Sequence, residues 1–422
     1  MAQTLRSLLI CFILISGLIL SGCQPAANGD IVRLTLWQGI SPPSNRDVFQ
    51  TLVQRFNAAH PQIEIESLYV GQPDQQIPKI LTAVVGNAAP DLLWYVPTLT
   101  GQLVELEAIQ PLDDWWQRSP FRDQLDPALT ETMSLEDHIW SVPFATNNAA
   151  VFYRPSLFKA AGIEQIPQTW EDFRAAAQRL TQDTDDDGRA DQHGIFLSLG
   201  KGEWTVFVWL PFVYSAGGQI AAGTQPDLVN SGAIAALQLG ADLVRSGSAV
   251  LSAPERGFEI DSFIAGKVAM QVTGPWTLPQ LQDSGIDFDV FPFPVSDRPA
   301  AVVGGESFFL GKTTPEKTQA AYKFLDYVLS PEFQQTWALE TGYLPANITV
   351  RNSDTYQQFV QDNPSLQVFL KQMDWARSRP IIPGYTYLSE NFGRAIEASL
   401  LGTSPEEALK QSQKRLQLIL QE

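Results

Sequence analysis

Apolar positions along the chain change period in a repeating way. Val32, Leu34 and Leu36 alternate with other residues, which predicts a strand over residues 31–37. Val48, Leu52 and Phe56 then recur at helical spacing and predict a helix over 45–59. Ser44 or Asn45 is placed to cap that helix, and Pro61 lies just past its end. A second strand is expected over 63–70. Ile77, Ile80, Leu81, Val84 and Val85 follow as an i, i+3, i+4, i+7, i+8 stripe, the pattern of a helix packed on a sheet. Residues 91–96 read as a third strand. This βαβαβ order implies parallel strands joined by right-handed crossovers. Ligands bind beyond the carboxyl ends of such strands, and Trp37, Trp94 and Tyr95 lie at or near those ends.

Residues 136–153 read as a crossing between lobes. They contain Trp140-Ser141-Val142-Pro143-Phe144, then Asn147-Asn148, then a strand over 150–153. A helix opens at Thr169 with Asp172 in the capping-box place, and Trp170, Phe173 and Leu180 form its apolar face. Further strands are expected over 267–272, running into Gly274-Pro275-Trp276, and over 287–291. Residues 301–310 give a strand broken by Gly304-Gly305. Thr314-Pro315, Ser330-Pro331 and Ser404-Pro405 each open a helix with a cap and a proline at its first position. In the last of these, Ser404 and Glu407 make a capping box, and Leu409, Leu416 and Leu420 follow at near-helical spacing. There is no internal repeat.

The N-terminus changes the picture of compartment. Arg6 precedes a nearly all-apolar stretch, residues 8–20, that is too short for an ordinary spanning helix. It ends in Leu20-Ser21-Gly22-Cys23, which resembles the lipobox of bacterial lipoproteins. That resemblance implies a signal peptide over 1–22, cleavage before Cys23, and a lipid on its thiol. Residues 23–30 then read as a tether. Cys11 leaves with the signal, so no disulfide is available to the mature chain. The formal charge of −18 argues against nucleic acid and against a polybasic membrane patch.

Signals of catalysis are weak. His60, His138 and His193 lack metal-ligand spacing. No Gly-x-Ser-x-Gly elbow is present, and no Gly-rich phosphate loop follows the first strand. The segment Asp183-Thr184-Asp185-Asp186-Asp187-Gly188-Arg189-Ala190-Asp191 matches the front of an EF-hand calcium loop. Asp183, Asp185, Asp187 and Asp191 would supply oxygens and Arg189 its carbonyl, while position 12 is Gly194 instead of the usual Glu. A structural calcium ion is therefore expected. Eleven tryptophans are present. Trp116, Trp140, Trp170 and Trp337 lie among apolar patterns and read as core. Trp37, Trp94, Trp204, Trp276 and Trp375 lie in predicted turns, loops or strand ends, where flat aromatics suit the C–H faces of sugars.

Together these stretches resemble the family 1 extracellular solute-binding proteins, which include maltose-binding and glycerol-3-phosphate-binding members. The resemblance is carried by Ala89-Pro90-Asp91-Leu92-Leu93, Gln110-Pro111-Leu112-Asp113-Asp114, Val142-Pro143-Phe144 and Val151-Phe152-Tyr153-Arg154. Pro167-Gln168-Thr169-Trp170, residues 263–270 with Gly274-Pro275-Trp276, and Thr341-Gly342-Tyr343-Leu344-Pro345 extend it. It implies an α/β, two-lobed binding-protein fold of type II, each lobe a mainly parallel sheet flanked by helices. Residues 31–143 and 296–330 would form one lobe, and 144–295 and 331–422 the other. The family implies a monomer that binds its ligand between the lobes and hands it to the membrane subunits of an ABC importer. By the same resemblance Trp276, Gly304, Gly305, Glu306 and Tyr343 line the cleft, and Asn147 and Asn148 contribute polar contacts. Glycerol-phosphate relatives carry an Arg where this chain has Pro383-Gly384-Tyr385-Thr386-Tyr387. Tyr385 and Tyr387 there favour a neutral glycoside, with Arg377, Arg379 or Arg394 left as substitutes for phosphate. A glycerophosphodiester binder, a sensor lipoprotein and an envelope glycoside hydrolase are the alternatives.

Overall fold

The computed structural model describes residues 31–71, 73–253 and 260–420. The expected signal peptide, Cys23 and the tether lie outside the described residues. β1 (Val32–Gln38), α1 (Pro43–Ala59), β2 (Ile63–Tyr69), α2 (Pro73–Val85) and β3 (Leu92–Tyr95) follow in the expected order. β4 (Ser141–Pro143) comes next, then β5 (Ala150–Tyr153), α3 (Trp170–Leu180), β6 (His193–Leu197), α4 (Glu203–Ser215) and α5 (Ser231–Arg245). β7 (Ala249–Leu251), β8 (Val268–Thr273), β9 (Asp289–Phe291) and β10 (Ser307–Leu310) complete two five-stranded sheets. Helices α6 (Pro315–Leu329), α7 (Pro331–Thr341), α8 (Tyr385–Leu400) and α9 (Pro405–Ile419) close the chain.

The first sheet has the order β2-β1-β3-β10-β4, and the second β7-β6-β8-β5-β9. In the first, β1 pairs parallel with β2 and β3, while β10 is antiparallel to both β3 and β4. In the second, β6 pairs parallel with β7 and β8, while β5 is antiparallel to both β8 and β9. Four strands of each sheet thus run one way, with one reversed strand inside the edge. The fold is α/β and two-lobed, each lobe a mainly parallel sheet flanked by helices.

Local sequence explains most helix starts. Thr169 and Asp172 form a reciprocal capping box at α3. Thr314, Ser330 and Ser404 accept the amides of Lys317, Phe333 and Glu407. The start of α1 differs from expectation: Pro42 is the cap and Pro43 takes the first turn, so neither Ser44 nor Asn45 caps the helix. Proline suits that position because its missing N–H would be unsatisfied anyway.

Each sheet has its own core. Phe49, Phe56, Phe144, Phe308, Phe324 and Trp337 fill the first, with Phe144 and Trp337 only 4.6 Å apart. The second is built around α4, where every residue from Thr205 to Ser215 is buried. A helix apolar on all sides belongs in an interior. Of the tryptophans read as core, Trp116 and Trp337 are buried, whereas Trp140 and Trp170 are partly buried against core residues.

Helix α7, expected with the second lobe, puts Phe333 and Trp337 into the first core. The reason is local. Ser330 ends α6 and caps α7 at once, so the chain has no length in which to leave the first sheet.

Three segments pass between the sheets. Residues 144–149 join β4 to β5, residues 292–306 join β9 to β10, and residues 342–347 leave α7. Backbone bridges tie them together. Thr146 exchanges hydrogen bonds with Leu344 at 3.0 and 3.1 Å, and Asn147 with Gly304 at 2.7 and 3.3 Å. These bridges form the hinge region beside the site.

Candidate ligand-binding site

The turn after β8 begins the site. Gly274 leads into a 3₁₀ turn, Pro275–Thr277. A Cβ on Gly274 would fall 1.9 Å from the Trp276 ring, so only glycine lets the indole fold back over its own turn. Trp276 is partly buried and packs against both principal cores. Its ring lies 5.8 Å from Trp204 in a T-shaped arrangement and 6.1 Å from Tyr343. Tyr343 in turn lies 5.4 Å from Trp337, and Trp204 lies 5.9 Å from Phe207. Gly342, at φ 78°, is held against the carbonyl of Pro275, which a Cβ would approach to 2.5 Å. The two lobes therefore meet through an aromatic group at the hinge.

A polar group adjoins it. Glu203, at the first position of α4, accepts from Arg379 at 2.6 Å and from the Tyr385 hydroxyl at 2.9 Å, and also from Ser389. Arg379 is 6% exposed, and its guanidinium lies over the Phe207 ring, 5.0 Å from the centroid. Burial opposes its charge, yet the Glu203 carboxylate, with Tyr385 and Glu306, more than offsets this and the guanidinium is held even more firmly protonated. Burial pushes the Tyr385 and Tyr343 hydroxyls well above the usual range. A cavity of about 370 Å³ lies between the lobes at this point, toward the small end of sizes found for small-molecule sites. Tyr95, Thr98 and Leu99 of the first lobe line it, opposite Lys201, Glu203, Tyr385, Thr386, Ser389 and Glu390.

Glu306 lies at the hinge, just past Gly304 and Gly305. Part of the residue reaches solvent, but its Oε2 is shut off and has no hydrogen-bond partner among the described residues. Burial pushes this carboxyl up to about 7, with the Arg379 charge pulling the other way. Gly304 and Gly305 are needed here. A Cβ on Gly304 would lie 2.0 Å from Asn147 Oδ1, and Gly305 has φ 114°.

The structure gathers only part of the expected set. Trp204, Trp276, Tyr343, Gly304, Gly305, Glu306 and Asn147 lie at the hinge. Tyr95 and Tyr385 line the cavity. Trp37 is partly buried against the cluster that contains Tyr95. Trp94 does not join them: it is 2% exposed and packs edge-on against Phe144 in the first core. Asn148 does not either. It is fully buried, donating to the Phe369 carbonyl at 2.9 Å and accepting from Gln372 at 2.7 Å. Trp375 closes a 3₁₀ turn and makes none of the ring contacts of the hinge group among the described residues. Tyr387 is 43% exposed on the first turn of α8.

Sequence reasoning missed Glu203 and Ser389, and it left Arg379 unplaced. One signal was available, because Glu203 is a lone acid at the head of a long apolar run. The arginines proposed as phosphate substitutes are engaged within the protein. Arg379 pairs with Glu203, Arg394 with Glu390 at 2.6 Å, and Arg377 lies over the Tyr214 ring at 4.8 Å.

Away from the cleft, the acidic loop brings oxygens of Asp183, Asp185 and Asp187 within 4.8 Å of one another, all exposed. Gly188 at φ 85° makes the turn, and its amide donates to Asp183 at 2.8 Å. Asp191 stands apart from that trio, because its carboxylate accepts from both the amide and the hydroxyl of Thr184. The Arg189 amide donates to Asp187 at 2.8 Å.

Comparison with known proteins agrees with this architecture. The model of a family described as bacterial extracellular solute-binding protein matches residues 51–367. The sn-glycerol-3-phosphate-binding periplasmic protein UgpB of Escherichia coli K12 is 25% identical over 377 residues, covering 85% of this chain and 83% of that protein. An ABC transporter solute-binding protein of Thermotoga lettingae, solved with alpha-D-tagatose, superposes with a TM-score of 0.82 at 23% identity, covering 92% of this chain and all of that one (100%). UgpB of Mycobacterium tuberculosis, solved with glycerophosphocholine, gives 0.81 at 22% identity over 93% of this chain and 98% of that one.

Proposed function

Because the chain belongs to the bacterial extracellular solute-binding protein family, we propose that it binds a neutral sugar, glycoside or oligosaccharide between its lobes and delivers it to the permease of an ABC importer. The observation that carries this reading is the aromatic group at the hinge. Trp276 touches both cores, so a ligand stacked there gains contacts to both lobes when they close. Binding then shifts the population toward the closed form by that differential affinity. Hydroxyls of Tyr385, Ser389, Thr98 and Thr386 near or along the cavity suit a polyol rim.

UgpB relatives make glycerol 3-phosphate or a glycerophosphodiester the alternative reading. Phosphate is captured best by a bidentate arginine free to turn to it. The pairing of Arg379 with Glu203 and of Arg394 with Glu390 supports the neutral ligand instead. A melting-temperature screen against mono- and oligosaccharides, polyols and glycerol phosphates tests the choice. Ligand at a hundred times Kd adds about 2.7 kcal/mol. A rise with a neutral sugar supports the reading; a rise only with phosphorylated polyols replaces it with the alternative.

The proposal contains no chemical step and expects a monomer acting without nucleic acid. It places the protein outside the cytoplasm, held by lipid on Cys23. No helix among the described residues is long and apolar enough to cross a membrane. Cys23→Ser should move the protein from the membrane to the soluble fraction, and a variant still anchored would refute the lipid. A structural calcium ion at Asp183, Asp185 and Asp187 belongs to the same proposal, supported by their convergence.

A further inference from the structure

We infer that Glu203 is a specificity-determining residue: by occupying the Arg379 guanidinium it makes the interlobe site reject anionic ligands. The inference rests on the reading of the cavity as the ligand site. Glu203 lines the cavity and Arg379 does not, so the carboxylate stands between the arginine and whatever enters. The pair is close, at 2.6 Å, and both side chains are nearly buried, at 4% and 10% exposure. The arginine still has unspent donor capacity, since its Nε has no partner among the described residues.

Other charges on the cavity wall are balanced in the same way. Glu390 accepts from Arg394 at 2.6 Å and forms a looser ion pair with Lys201 at 3.7 Å. A phosphate seated at the Glu203 end of this cavity would face its carboxylate at short range, with the Arg379 cation behind it, while Lys201 on the same wall is shared with Glu390. Like charges in a site of lowered dielectric repel strongly, whereas a hydroxyl can donate to the same carboxylate. Specificity of this kind is built from a repulsive element as well as attractive ones. The sequence places the two residues far apart, 176 positions, so only the fold shows that one conceals the other.

The test uses the full chain in detergent and reads melting temperature against inorganic phosphate and glycerol 3-phosphate. Wild type should be unresponsive. Glu203→Gln should melt lower without ligand, because Arg379 loses its partner. It should also gain at least tenfold in apparent affinity for phosphate over wild type. Glu203→Gln combined with Arg379→Gln should lose that gain. Glu203→Asp keeps the charge but pulls it back by one methylene, so it should show a smaller gain in the same direction even if the glutamine variant does not fold. Equal phosphate response in wild type and the single variants, or a response that survives removal of Arg379, overturns the inference. The sugar response of wild type in the same plate judges the underlying reading separately. A wild type silent to sugars beside a phosphate-responsive Glu203→Gln would remove the carbohydrate ligand and keep the filter.

Discussion

Replacing Glu306 with glutamine should change how stability depends on pH. The side chain lies at the hinge, where its Oε2 is closed off from water without a partner among the described residues. Burial, partly offset by Arg379, holds its carboxyl near 7, against an ordinary 4.5. Between those two values the folded protein keeps a proton that the unfolded chain releases. Stability from this group is therefore complete below about 4.5 and is lost as pH rises through about 7. At 1.36 kcal/mol for each pH unit of separation, the loss is about 3 kcal/mol as an upper bound, less where solvent reaches the side chain. Glutamine mimics the protonated acid and does not titrate. Glu306→Gln should thus come closest to wild type at the acid end of the range, near pH 5, and melt a few degrees higher near pH 8. Melting temperatures of the two proteins, read in parallel from pH 5 to 8, cancel every other titration they share. A difference that stays flat across that range would refute the burial argument for Glu306.

Other expectations follow from the same geometry. Trp276→Ala should weaken affinity for the ligand found in the screen at least tenfold, about 1.4 kcal/mol, because the ring is the contact shared by both lobes; titration calorimetry that finds unchanged affinity removes it from the site. Asp185→Ala should lower the melting temperature in calcium but not after chelation, since three clustered carboxylates repel unless a cation offsets them; an equal drop in both conditions argues against a metal at that loop.

Much of the first lobe was legible because its elements carry clean periods. The alternation at Val32, Leu34 and Leu36 reports one inward face, and the stripe from Ile77 to Val85 marks a helix held on the sheet by buried Ile80 with Ile77 and Val84 against it, although Val85 itself is exposed; both elements stand where the pattern puts them. α4 was not legible, because a helix buried on all sides has no polar face to reveal a period. α8 was hidden for another reason. Pro383 and Gly384 are residues that interrupt a local pattern, yet Gly384 at φ 71° turns the chain directly into the helix. Trp94 was misplaced because β3 is buried throughout, so proximity to a strand end says nothing about which face a side chain takes. Asn148 and Glu203 show the remaining gap. The resemblance gives Asn148 a polar contact in the cleft, yet Phe369 and Gln372 hold it from more than two hundred residues away. Glu203 carries no local sign of Arg379, its partner in the fold. Long-range polar pairing leaves no local mark.

The central claim is that one small neutral molecule is held between the two lobes at the hinge aromatics. A crystal structure with the ligand identified by the screen tests it most directly. The account predicts an intact carbohydrate with a ring face on Trp276 and hydrogen bonds to residues of both lobes. A ligand confined to one lobe, a phosphate held by Arg379 with Glu203 displaced, or a cleaved glycosidic bond in the cleft would contradict it.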